Sequence, residues 1–205
     1  GVSLGDEHLW NPHLYMSAEF FRHRLEILRS RECAVLPLNQ ALEQLRLATL
    51  PKRSVAITFD DGASDFLRQA LPELNRFRFP ATLYLTTYYS QFQRPVFNGM
   101  LSYLLWKGRG GELAVPEIAR ARLALDDAGR AFGWEALQSY ARSRGFCAVE
   151  KDALLASLAA RLHIDYEELR RKRILHLLTE EEVARVAAAG IDVQLHTHRH
   201  RTPRD

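Results

Sequence analysis

Four short apolar runs constrain this chain more than anything else in it: "CAVLPL" (33–38), "SVAITF" (54–59), "ATLYLT" (81–86) and "IDVQLH" (191–196). Each has the length and the branched or aromatic content of a strand. Segments of helical spacing lie between the first three. Ser17 is placed to cap a helix running to about Arg31, with Phe20, Phe21, Leu25 and Leu28 as its apolar stripe. Asn39 is expected to cap a second helix, through about Leu47, and a third is expected from near Ala63 to about Phe77. Residues 1–16 read as loop. Strands alternating with helices predict an α/β fold, a parallel sheet or barrel with helices outside.

Residues 95–173 break the rhythm. "VFNGMLSYLLWKGR", "EIARARLAL", "GWEALQSYARSR" and "EKDALLASLAARL" all read as helix, with no strand between them. The expectation is one domain over 1–205 with a helical insertion at about 95–173. Tyr103, Trp106 and Trp134 are read there as core. The alternation then returns: Thr179 with Glu182 forms a capping box, Gly190 stops the helix, and "IDVQLH" follows.

Two of the four strands end in chemistry. "AITFDDG" closes on adjacent carboxylates, Asp60 and Asp61, and "IDVQLH" runs into "HTHRH". Adjacent like charges at the end of a buried strand are costly unless something neutralises them. In parallel α/β folds the C-terminal strand ends gather at one face, where sites sit. Carboxylates and imidazoles meeting there suit a divalent transition metal, and its 2+ charge turns the repulsion into attraction. Each cluster alone has a plainer explanation: a strand-end turn for the aspartates, a basic surface loop for the histidines.

The histidine spacing admits two geometries. If the strand continues, His196 and His198 share a face and His200 lies roughly 13 Å from His196, at ~3.3 Å per residue. If the chain turns helically after Leu195, His196 and His200 become neighbours, with Cβ atoms about 5–6 Å apart.

"TFDDG" (58–62) and "HTHRH" (196–200) resemble the first two motifs of the polysaccharide deacetylases, the carbohydrate esterase family 4 or NodB-homology proteins. "FPATLYLTT" (79–87) and "LLTEEEVARVAAAGIDVQLHTH" (177–198) are similar to the family's flanking segments. The resemblance implies a distorted (β/α) barrel of the NodB type and metal-dependent hydrolysis of N- or O-acetyl groups on a carbohydrate. It gives Asp60 the role of catalytic base. It makes Asp61, His196 and His200 the ligands of a divalent metal, zinc by expectation, which selects the helical-turn geometry. His198 and Arg199 fall at variable positions. The family's later motifs, including the histidine that serves as general acid, are expected beyond Asp205, so the chain reads as a fragment with an incomplete barrel. "LH" occurs at Leu162-His163 and Leu175-His176, both ahead of the second motif. The competing readings are a non-catalytic carbohydrate-binding or scaffold protein that kept the metal site, and a relative that hydrolyses another amide.

Composition sets the remaining bounds. A net charge of +3 with 26% charged residues gives no argument for nucleic acid, and the run Arg170–Arg173 reads as a solvated helix end. No apolar stretch reaches the ~18 residues of a membrane span, and no signal segment opens the chain. Cys33 and Cys147 form no disulfide framework. Neither the compartment, bacterial cell envelope or cytoplasm, nor the oligomeric state is fixed by these features.

Overall fold

The structure, a computed structural model, describes residues 1–119 and 122–198. The elements in chain order begin with α1 (Glu7–Trp10), α2 (Ala18–Ser30), β1 (Ala34–Val35), α3 (Leu38–Arg46), β2 (Ser54–Val55) and β3 (Thr58–Phe59). A turn of π-helix at Phe66–Ala70 leads into α4 (Leu71–Phe77). Next come β4 (Thr82–Leu85), α5 (Thr87–Phe92), α6 (Phe97–Lys107), β5 (Glu112–Leu113) and β6 (Leu123–Ala124). The rest are α7 (Asp127–Ser143), α8 (Ala148–Arg161), α9 (Tyr166–Arg171), α10 (Glu180–Ala188) and β7 (Asp192–Leu195). The chain divides into two compact units. The sheet unit holds Gly1–Gln93 and the segment from Leu177 on; the helical unit holds Arg94–His176.

In the sheet unit, β3, β4 and β7 form a parallel sheet with β4 in the centre. Phe59, Leu83 and Val193 stand in register across it. They face a core made with Phe21 and Leu25 of α2, Phe66, Leu74 and Phe77 after β3, and Val186 of α10. This is the one-faced burial that period-2 alternation produces. The opposite face starts with Thr58 and Asp192, both exposed, so "SVAITF" does not end in the fully buried strand its apolar content suggests. No closed barrel is present among the described residues. No helix among them is long and apolar enough to cross a membrane.

Several local signals act as expected. Ser17 Oγ accepts from the Phe20 N–H at 3.1 Å, and Thr179 and Glu182 form their reciprocal box. Other expectations are corrected. "SVAITF" is two strands, because Ser54–Val55 pairs with β1 while Thr58–Phe59 pairs with β4. Pro37, not Asn39, precedes α3, and Asn39 lies inside that helix. Phe20 is 45% exposed, so the α2 stripe narrows to Phe21, Leu25 and Leu28. Residues 1–16 hold α1 and a bridge between Val2 and Met16. The expected helix from Ala63 starts as a π-turn, Leu71 N–H reaching the Phe66 carbonyl just before Pro72, which has no N–H to give.

The helical unit packs α7 and α8 against α6, whose Met100, Leu101, Tyr103, Leu104 and Leu105 are all buried. Two departures stand out. "EIARARLAL" is not a helix: β6 lies within it and pairs antiparallel with β5. Trp134 is 38% exposed and donates its indole N–H to the Asn98 carbonyl, so only Tyr103 of the aromatic trio is fully core. The Arg170–Arg173 run sits at the end of α9, where Arg170, Arg171 and Lys172 pair with Glu167 and Glu168.

Candidate active site

The site is built at the C-terminal ends of three adjacent parallel strands. β3 delivers Asp60 and Asp61, β4 delivers Thr86 and Thr87, and β7 delivers His196. Asp60 is exposed directly after β3. The chain then turns through Asp61 (φ +70°) and Gly62 (φ +76°), two consecutive residues in left-handed backbone. The positive φ of Gly62 disfavours any side chain there, and a Cβ would lie 2.5 Å from Leu85 Cδ1, so that leucine would also have to shift. Asp61 has no such freedom. An aspartate held in this region is uncommon and persists where its surroundings over-determine it.

Those surroundings are specific. The Thr86 N–H donates to the Asp61 carbonyl at 3.1 Å, and Thr86 Oγ1 donates to Asp61 Oδ1 at 3.3 Å. The Leu178 N–H donates to the Gly62 carbonyl at 2.8 Å, beside an antiparallel bridge between Ala63 and Leu177. Across the site, His196 Nε2 lies 3.7 Å from Asp61 Oδ1. Side-chain exposures of 45% for Asp61 and 33% for His196 leave both open to a ligand from solvent.

The segment after β7 continues alongside β4. The His196 N–H donates to the Leu85 carbonyl, Thr87 N–H to the Thr197 carbonyl, and Tyr88 N–H to the His198 carbonyl. His198 belongs to a different neighbourhood from His196: its Nδ1 is 2.9 Å from Thr87 Oγ1 and its ring meets Tyr88 edge-on. His200 and Arg199 lie outside the described residues. Among the described residues no group of three His, Cys, Asp or Glu side chains is assembled to hold a metal. Two of the three residues expected as ligands, Asp61 and His196, are brought together.

Behind this surface lies a buried polar set that sequence reasoning missed. Asp65 and Glu7 are 5% and 1% exposed. Burial pushes the Asp65 carboxyl up to about 6. Burial raises the Tyr15 phenol too, helped by the negative charge of Asp65, Glu7 and Asp61. Thr86 was also missed; the only signal was a hydroxyl closing an otherwise apolar run.

Asp61 and His196 supply two donors of the kinds that divalent cations take, and the third expected ligand, His200, lies outside the described residues. A carboxylate oxygen and an imidazole nitrogen face each other at 3.7 Å, beyond hydrogen-bond range, and both are ordinary ligands of zinc and its neighbours.

Residues 48–122 match the sequence profile of the polysaccharide deacetylase family, a segment that contains Asp60 and Asp61 and stops short of His196. The match covers less than half of the chain. No curated protein matches the chain. Similar solved structures include the Streptococcus pyogenes deacetylase PplD in complex with acetate, 24% identical, TM-score 0.39, covering 46% of this chain and 44% of that one. A de-N-acetylase from Aggregatibacter actinomycetemcomitans is 18% identical, TM-score 0.34, covering 55% and 37%. The BpsB deacetylase domain from Bordetella bronchiseptica is 21% identical, TM-score 0.31, covering 59% and 39%. The matched region spans less than half the length of each of these structures.

Proposed function

We propose that this chain is the metal-binding part of a carbohydrate deacetylase, a hydrolase that removes N- or O-acetyl groups from a sugar. The observation that carries the reading is the convergence of Asp61 and His196 to 3.7 Å at one end of a parallel sheet, in a chain that matches the deacetylase profile. On this reading the β3-β4-β7 sheet is part of a distorted (β/α) barrel of the NodB type, within one domain over 1–205.

Asp61, His196 and His200 would hold a divalent ion, zinc by the preference of their donors. Bound there, such an ion supplies Lewis acidity toward an acetyl carbonyl and acidifies a water. The chain's own residues do the rest. Asp60 is exposed beside Asp61 at the strand end, where its carboxylate can accept the proton of an attacking water. The Asp61 carboxylate is fixed by Thr86 and is not free to compete for that proton. The partly exposed strand ends leave a sugar room to approach.

The test is to separate the two aspartates in the full natural protein. Asp60→Asn keeps shape and removes the base. Metal affinity should stay within about threefold of wild type, while acetate release from N-acetylglucosamine oligomers falls roughly 10²–10⁴-fold. Asp61→Asn should lower metal affinity and activity together, with part of the activity returned by excess metal. Wild-type turnover in Asp60→Asn would overturn the base assignment. A wild-type protein that binds metal and releases no acetate would favour a carbohydrate-binding role.

A further inference from the structure

We propose that Thr86 is the positioning residue that aims Asp61 at the metal; the inference rests on the reading of Asp61 as a ligand. Three facts carry it. First, Asp61 sits at φ +70°, a left-handed conformation that few residues other than glycine adopt and that its surroundings must support. Second, Thr86 holds it twice, backbone N–H to carbonyl at 3.1 Å and hydroxyl to Oδ1 at 3.3 Å. Third, the oxygen that takes the hydroxyl is the one 3.7 Å from His196 Nε2. A carboxylate oxygen has two acceptor directions. Thr86 takes one of these directions on the same oxygen that lies 3.7 Å from His196 Nε2.

Thr86 can do this because it does not move itself. It is 1% exposed and follows directly on β4, the central strand of the sheet. The same strand end also grips the histidine segment, through the His196 N–H on Leu85 and the Thr87 N–H on Thr197. The end of β4 is therefore a common reference for both ligands. Removing the hydroxyl takes away its hydrogen bond to Asp61 Oδ1 while the backbone tie persists.

Thr86→Val keeps the side chain's shape and the backbone N–H and removes only the hydroxyl. The apo chain is titrated with Co²⁺ by calorimetry, and the visible absorption of the bound ion is recorded. Affinity should fall about 10-fold, the lower end of what partners of metal ligands contribute, since 3.3 Å is long for an O–H···O bond. The Co²⁺ spectrum should change with it. Thr86→Ser should recover both to within about threefold.

Thr82→Val supplies the structural comparison. Thr82 is equally buried on the same strand, and its hydroxyl bonds Asp192 at 3.1 Å, away from Asp61. It should leave the Co²⁺ affinity and spectrum unchanged. Thermal melts of the apo variants show which of them fold. Wild-type affinity in Thr86→Val, equal losses in Thr82→Val and Thr86→Val, or no recovery in Thr86→Ser would each overturn the positioning role. A wild-type chain that binds no Co²⁺ overturns the metal site itself, an outcome distinct from these.

Discussion

The two units treat polar groups in opposite ways. In the helical unit they are consumed by structure. Asp152 accepts from the Tyr166 hydroxyl at 2.6 Å and from Arg94 at 3.2 Å. Glu117 takes both terminal nitrogens of Arg161, at 2.6 and 2.8 Å. His176, 4% exposed, bonds the Ile174 carbonyl through Nδ1, which must then carry the proton. In the sheet unit the polar groups at the strand ends face solvent: Asp60 is exposed, and Asp61 and His196 are partly so. The difference separates groups that stabilise from groups that can act. A carboxylate closed on a tyrosine and an arginine has little left to offer a ligand. Asp61, held by the Thr86 hydroxyl, is still 45% exposed and lies 3.7 Å from His196.

The comparison breaks most visibly at the histidines. His196→Ala should lower Co²⁺ or Zn²⁺ affinity by more than about 100-fold, because a ligand is lost outright. His198→Ala should change it little, because that ring is engaged with Thr87 and Tyr88. Calorimetric titration of both variants decides it. Equal losses would mean that the strand-type His-x-His geometry holds the ion. Next in size is Tyr166→Phe in the helical unit. It removes the hydroxyl from Asp152 and should cost roughly 1–3 kcal/mol in urea unfolding, with metal affinity unchanged. A fall in metal affinity would end the claim that this network is purely structural.

The smallest effect concerns pH. Burial holds His176 down, to about 4. The unfolded chain, with an ordinary histidine near 6.5, therefore binds more protons between those two values. The stability contributed by neutral, buried His176 is fully present above about 6.5 and is lost as pH falls toward 4, with a slope of at most ~1.4 kcal/mol per unit. Urea midpoints at pH 5 and 7 should show that loss in the wild type and a weaker one in His176→Asn. Identical slopes would show that His176 titrates normally in the fold.

The elements legible in the sequence were those whose signals are local. Ser17, the Thr179–Glu182 box and Gly190 specify helix ends through hydrogen bonds within a few residues. The strands that end at Asp60 and His196 were likewise visible as short apolar runs. What was hidden depended on partners. "SVAITF" reads as one strand because apolarity reports burial and says nothing of which neighbour supplies the hydrogen bonds; β1 and β4 divide it. β5 and β6 are two residues each, too short for any period to register. Phe20 lies at the edge of the α2 stripe, and only the packed neighbours decide that it stays exposed.

For the site, the sequence by itself determined the chemistry on offer: paired aspartates after one strand, histidines after another, and a glycine where the turn between strand and helix needs positive φ. The tertiary structure decided the rest. It put β4 between the two motifs, drew Asp61 into left-handed backbone, closed Thr86 onto it and sent His198 to Thr87 instead. The physical reason is range. Side-chain type and turn preference are properties of a few adjacent residues, whereas an oxygen's direction is fixed by donors that only a folded sheet brings within 3.5 Å.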